Sequence, residues 1–90
     1  MKHKYKLSDE LIHKASYFHE FANGAAQATV LLKDGSRFNK ALISNSTALI
    51  AIHGYKDLPF NVQDISDIFQ SIEDINPKET GGWEFWDKWQ

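Results

Sequence analysis

Hydrophobic and polar positions follow two different periods along this chain. Leu11, Ile12, Ala15, Phe18 and Ala22 recur every three or four residues, the spacing of one buried helical stripe. The spacing predicts a helix over residues 8–22. Ser8 is placed to cap it, because a serine hydroxyl accepts from an unsatisfied N–H of the first turn. Asp9 and Glu10 follow, where carboxylates suit the positive helix end. Leu7 and Ile12 stand at the spacing of a hydrophobic staple, and Asn23-Gly24 supplies the stop. Tyr17 and Phe21 add an aromatic flank beside Phe18. A wide apolar face packed on a sheet accounts for them, with a partner surface as the competing reading.

After the helix the period drops to two. In "QATVLLKDGSRFNKALIS", Ala28, Val30 and Leu32 alternate with Thr29, Leu31 and Lys33. Asp34-Gly35 is expected to supply two positive-φ residues for a tight hairpin turn. Phe38 opens the return strand, whose apolar positions then change parity to Ala41 and Ile43, as in a strand that bulges midway. Residues 44–47, "SNST", read as a polar turn, and residues 48–54, "ALIAIHG", as a third strand. Residues 58–62, "LPFNV", read as a short strand that Pro59 confines to an edge.

The segment "VQDISDIFQSIEDI" fits two periods. Ile65, Ile68, Phe69 and Ile72 would make a helical stripe, whereas Asp64 to Asp67 would make a tight turn before a strand from Ile68 to Glu73. The second is preferred, since a further strand protects open sheet edges. Residues 76–82, "NPKETGG", read as a linker. The predicted organisation is a helix-plus-barrel domain over 1–76, then a linker and Trp-rich tail over 77–90. Its core is expected to hold Leu11, Ile12, Phe18, Val30, Leu32, Ile43, Ile50, Ile52, Phe60, Ile65 and Ile68. All three tryptophans lie in the last eight residues, "WEFWDKWQ". Left in water, those rings would form a larger apolar patch than monomers usually show, so part of the tail must be covered.

Composition narrows the chemistry. Ninety residues with 42% hydrophobic content support one modest core. The formal net charge of −2 lacks the basic excess usual in nucleic-acid binders. There are no cysteines, which excludes disulfides, thiolate catalysis and Cys-ligated zinc. The basic start has no apolar run behind it, and no stretch reaches the roughly 20 apolar residues of a membrane span, so a cytoplasmic location is expected. His13 and His19 point in different directions on the predicted helix. Asp9 and His13 are too few to hold a metal, and His53 reads as a turn residue. No nucleophile, base and orienter assemble into a catalytic set. The expectation is a protein that is not an enzyme and needs no cofactor or metal.

Residues "VLLKDGSRFNKALIS" resemble the first two strands of the small SH3-like barrels, in particular the Sm-like fold. "LPFNVQDISDIFQSI" is similar to that family's closing segment, and a helix before the first strand is a further Sm-like feature. The Rho-binding antiterminator (Rof) group is similar in architecture, with a helix followed by an "LKDG" hairpin. The acidic, aromatic start of Rof proteins is not found in "KLSDELIHKASYFHE". The resemblance covers residues 8–73 and implies a mainly β fold with one N-terminal helix and a five-stranded, bent antiparallel SH3-like/Sm-like barrel.

Two function classes follow. An RNA-binding or Rof-like regulator would use Tyr55, Phe60, Lys33, Arg37, Lys40 and Lys56. A stoichiometric inhibitor of a basic protein, of the bacterial toxin-neutralising immunity type, fits the acidic balance better. Aromatic residues carry most interface energy, and carboxylates steer association with a basic partner. Its expected partner-binding residues are Tyr17, Phe21, Tyr55, Trp83, Glu84, Trp86, Asp87 and Trp89. The partner would be a toxin nuclease domain or another nucleic-acid-binding enzyme, with a second copy of the chain as an alternative.

Overall fold

Ser8 caps the first helix as its position suggests: its hydroxyl accepts from the N–H of Leu11 at 3.3 Å. In this computed structural model, which describes residues 4–78 and 82–86, α1 runs over Asp9–Ala15 only. The expected helix over 8–22 is therefore too long. Phe18 packs on the main core, whereas Phe21 packs on a second cluster across the sheet. One straight helix cannot supply both, so the chain unwinds after Ala15. The Gln70 side-chain amide clamps the unwound segment at His19. It accepts from the His19 N–H at 2.8 Å and donates to the His19 carbonyl at 3.0 Å. Ala22, expected in the buried stripe, is exposed.

Four antiparallel strands follow, β1 (Ala25–Leu32), β2 (Arg37–Ser44), β3 (Ala48–Ile52) and β4 (Ile65–Phe69), in the sheet order β3-β2-β1-β4. The parity change read in β2 is a bulge. Ala28 pairs with Ala41 and Val30 with Phe38, so β2 spends three residues where β1 spends two. The extra residue leaves Lys40 at φ 56°, a left-handed conformation that costs a side-chain-bearing residue energy. Further irregularities separate Leu42 from Ile43 against β3, and Leu31 from Leu32 against β4.

The turns differ from expectation. Of Asp34 and Gly35, only Gly35 has a positive φ, at 92°. The loop takes three residues, with the Ser36 carbonyl accepting from Leu32 N–H and Asp34 Oδ1 accepting from Ser36 N–H. The pair of positive-φ residues is instead Asn45 and Ser46, at 50° and 61°, between β2 and β3. That combination matches the right-handed twist of the flanking strands.

Residues 58–62 do not form the expected strand. Pro59 lacks an N–H, the Leu58 N–H is taken by the Asp57 carboxylate, and the outer edge of β3 is already occupied. Leu49 N–H donates to the Tyr5 carbonyl, Leu7 N–H to the Thr47 carbonyl, and Trp86 N–H to the Ile50 carbonyl. Leu58, Phe60 and Val62 instead pack half-buried against the core, with a 3₁₀ turn at Val62–Asp64 leading into β4. A turn and then a strand do follow, but not where expected: residues 65–67, expected in the turn, are already in β4, and residues 70–73, expected in the strand, are not. The strand stops at Phe69, and residues Ile72–Ile75 form a single helical turn, α2. The described residues thus form a mainly β fold with an N-terminal helix and an open four-stranded sheet.

The core has two parts. The larger lies on one sheet face and contains Leu11, Val30, Leu32, Ile43, Ile52, Ile65, Ile68 and Trp86, with Ile12, Phe18 and Phe60 packed at its margin. Ile50, expected in the same core, belongs with Ala25, Leu42 and Ala51 on the opposite face. The irregularity between β2 and β3 explains this, because one extra residue reverses which face each later side chain meets. No helix of the described residues is long and apolar enough to cross a membrane.

Candidate functional site

The tail is held by its own indoles. Trp83 stacks on Phe21 with ring centroids 5.8 Å apart, covers the second cluster, and donates from Nε1 to the Lys40 carbonyl at 2.9 Å. Trp86 is buried at 8% exposure, meets Tyr5 edge-to-face, and donates from Nε1 to the Tyr55 carbonyl at 3.1 Å. Burying an aromatic body while pairing its N–H is the favourable arrangement for tryptophan. Trp86 is therefore a core residue in this fold, and its expected place on an exposed partner surface is corrected. Gly82 has φ 78° and lies so close to His53 that an added Cβ would stand 2.9 Å from the ring. Glu84 is exposed and Phe85 half-exposed. Asp87 and Trp89 lie outside the described residues.

The remaining expected partner residues are dispersed. Tyr17 is 79% exposed and meets the His13 ring edge-to-face at 5.6 Å. Phe21 is half-buried under Trp83. Tyr55 is 42% exposed and joins Phe38, which in turn packs on Phe60. Thus Tyr17 and Tyr55 present apolar surface, whereas Phe21, Trp83 and Trp86 spend theirs on the fold. Three exposed apolar residues are not among those expected: Ile72 and Ile75 on α2, at 89% and 43% exposure, and Phe85. Tyr17 lies two residues before His19 and Ile72 two after Gln70, so the His19–Gln70 clamp ties their two segments together. Glu20 and Glu73, next in each segment, are exposed.

The second sheet face carries a polar cleft of about 260 Å³ beside α2. Gln27, Thr29, Arg37, Asn39, Lys40, Phe69, Ser71, Glu73 and Asp74 line it. Its floor is built around Asp74, only 2% exposed. One carboxylate oxygen accepts from Gln27 Nε2 at 2.8 Å; the other accepts from Thr29 Oγ1 and Ser71 N–H, both at 2.9 Å. Asp74 N–H in turn donates to the Ser71 hydroxyl oxygen, completing a capping box. Gln27 must turn its amide nitrogen to the carboxylate, which leaves Oε1 buried without a partner. The Arg37 guanidinium stands 5.8 Å from the centre of the Phe69 ring. Two signals in the sequence point to this network: the Ser71-x-x-Asp74 spacing, and the polar pair Gln27 and Thr29 at alternate positions of an otherwise apolar strand.

Charge elsewhere is local. Lys14 pairs with Asp67 across α1 and β4. The Tyr5 hydroxyl donates to Asp57 Oδ1 at 2.7 Å. That bond, with the Leu58 N–H, holds the Asp57 carboxyl below its ordinary pKa and raises the Tyr5 phenol above its own. Among the described residues, no three His, Asp or Glu side chains gather as a metal would require. No family model matches this chain, and neither a curated protein nor a solved structure matches it.

Proposed function

We propose that this chain is a small non-catalytic binding protein that inhibits a basic protein partner stoichiometrically, in the manner of a toxin-neutralising immunity protein. One observation carries the reading: Tyr17 and Ile72 stand 79% and 89% in water on segments clamped to each other. Large apolar side chains held out by a fixed backbone bind at a low entropic cost. The neighbouring Glu20 and Glu73 favour a cationic partner. The SH3-like/Sm-like barrel belongs to this reading as well. The helix before β1, the bulged strands and the short turn before β4 support it, as does closure of the β3 edge by residues 5–7.

The partner expected is a nuclease domain with a basic active-site groove. Activity of such a domain, co-purified with the untagged protein, should fall to zero at one equivalent of inhibitor. Tyr17→Ala and Ile72→Ser should each weaken the complex about tenfold or more, the range of a lost hot spot, with the melting temperature unchanged. If both variants inhibit as well as the parent, the docking surface is elsewhere and the reading fails. A salt-sensitive shift of single-stranded RNA, with no protein complex, would favour the regulator reading instead.

A further inference from the structure

Of the residues the inhibitor reading uses, Tyr17, Ile72 and Glu20 do not line the polar cleft, and Glu73 does. The construction of the cleft is unusual for a solvated sheet face. Arg37 and Asn39 share a face by ordinary alternation, and Lys40 would face away in a regular strand. The bulge brings Lys40 to the same cleft, at the cost of a left-handed backbone. Two cations thus line one depression together with the exposed Glu73 carboxylate, and the ion pair among the described residues, Lys14–Asp67, involves none of the three. Beneath them lies a buried carboxylate with both oxygens engaged, a floor that apolar packing could have replaced without desolvating a charge. Gln27, only 1% exposed, lines the cleft with one amide atom unpaired.

We infer that this cleft binds a nucleoside monophosphate unit, either free or as one residue of a single-stranded RNA. Arg37 and Lys40 supply cations for the phosphate, Arg37 as a planar fork and Lys40 as a point charge. The Phe69 ring and the guanidinium above it offer flat faces for a base. The Asn39 amide can both donate and accept, as a base edge requires. A space of about 260 Å³ is just under the range of pockets for drug-sized ligands, which suits one nucleotide in the cleft.

Lys40→Gly provides a clean test. Glycine accepts the positive φ, and the Lys40 carbonyl keeps its bonds from Trp83 Nε1 and His53 N–H. Fold and tail docking should persist while the cation is lost. Amide NMR titration with AMP, CMP, GMP and UMP should give saturable shifts at Arg37, Asn39, Lys40 and Phe69. Inorganic phosphate should bind more weakly. Lys40→Gly and Arg37→Gln should each lower nucleotide affinity about tenfold, the scale of one charge-assisted contact. A short single-stranded RNA binding more tightly than the monophosphates identifies an RNA chain as the source, and equal binding identifies free nucleotide. Absence of saturable shifts overturns the assignment. So does equal affinity for inorganic phosphate, or stronger shifts with a glutamate-rich peptide. Inhibition of a nuclease partner should be unchanged in Lys40→Gly, so the two proposals fail separately.

Discussion

Trp86 shows how one residue near the end of a chain can serve the interior. Its ring fills the main core, its Nε1 engages the Tyr55 carbonyl, and its backbone N–H engages Ile50 on the β3 edge. Trp86→Ala removes all the side-chain contributions and leaves a cavity. The cost should be about 3–5 kcal/mol, a large share of the stability of a domain this small. Urea denaturation followed by circular dichroism measures it, and a loss below about 1 kcal/mol would mean the tail contributes little to the fold. Trp86→Phe should lie between parent and alanine variant, because it keeps a ring and loses the Nε1 bond. Asp74 is the polar counterpart. A carboxylate in "SIEDI" reads as a surface charge, and only the neighbouring Gln27 and Thr29 make it an interior one.

At the scale of elements, backbone chirality separates the two hairpins. Gly35 is needed at φ 92° with no atom near its missing Cβ, so Gly35→Ala costs backbone strain alone, roughly 1–2 kcal/mol. Ser46 occupies a similar region at φ 61° with a side chain attached. Ser46→Gly should therefore stabilise the β2–β3 turn. Relief of that strain is offset by the extra freedom of glycine in the unfolded chain, leaving a gain of about 0.5–1 kcal/mol. Opposite shifts in melting temperature for the two variants are expected. A fall for Ser46→Gly would show that the Ser46 hydroxyl, bonded to the Ala15 carbonyl at 3.3 Å, outweighs the strain.

At the scale of the whole molecule, the Tyr5–Asp57 bond joins the N-terminal segment to the loop after β3. This bond predicts both flanks of a pH–stability curve. Asp57 has a folded pKa below its ordinary value, so its contribution is present above that value and is lost as pH falls through the folded one. Tyr5 has a raised folded pKa, so its contribution is complete below the ordinary tyrosine value and is lost as pH rises through the folded one. Tyr5→Phe should lower the melting temperature at neutral pH and flatten the alkaline flank. Part of the acid flank should remain, because Asp34 is also lowered, by its bond from Ser36 N–H. An alkaline flank unchanged in Tyr5→Phe would show that other groups govern it.

Local chemistry determined a good deal of this protein directly from its residues. Ser8 with Asp9 and Glu10 sets where α1 begins, and Asn45-Ser46 and Lys33-Asp34-Gly35 sit where the strands reverse. The parity change after Phe38 reports the β2 bulge, since side chains alternate strictly unless a residue is inserted. These signals depend on neighbours within a few positions. Tertiary structure alone decided that α1 stops at Ala15, because Phe18 and Phe21 serve opposite sheet faces. It decided that residues 58–62 stay out of the sheet, because residues 5–7 and Trp86 had taken the available edge. It also decided which aromatic residues are exposed: Trp83 and Trp86 found partners some 30 to 80 residues away, in Phe21, Lys40, Tyr55 and Tyr5. Competition for a limited core and for the outer edge of β3 is a property of the folded whole, and no local pattern encodes which segment wins it.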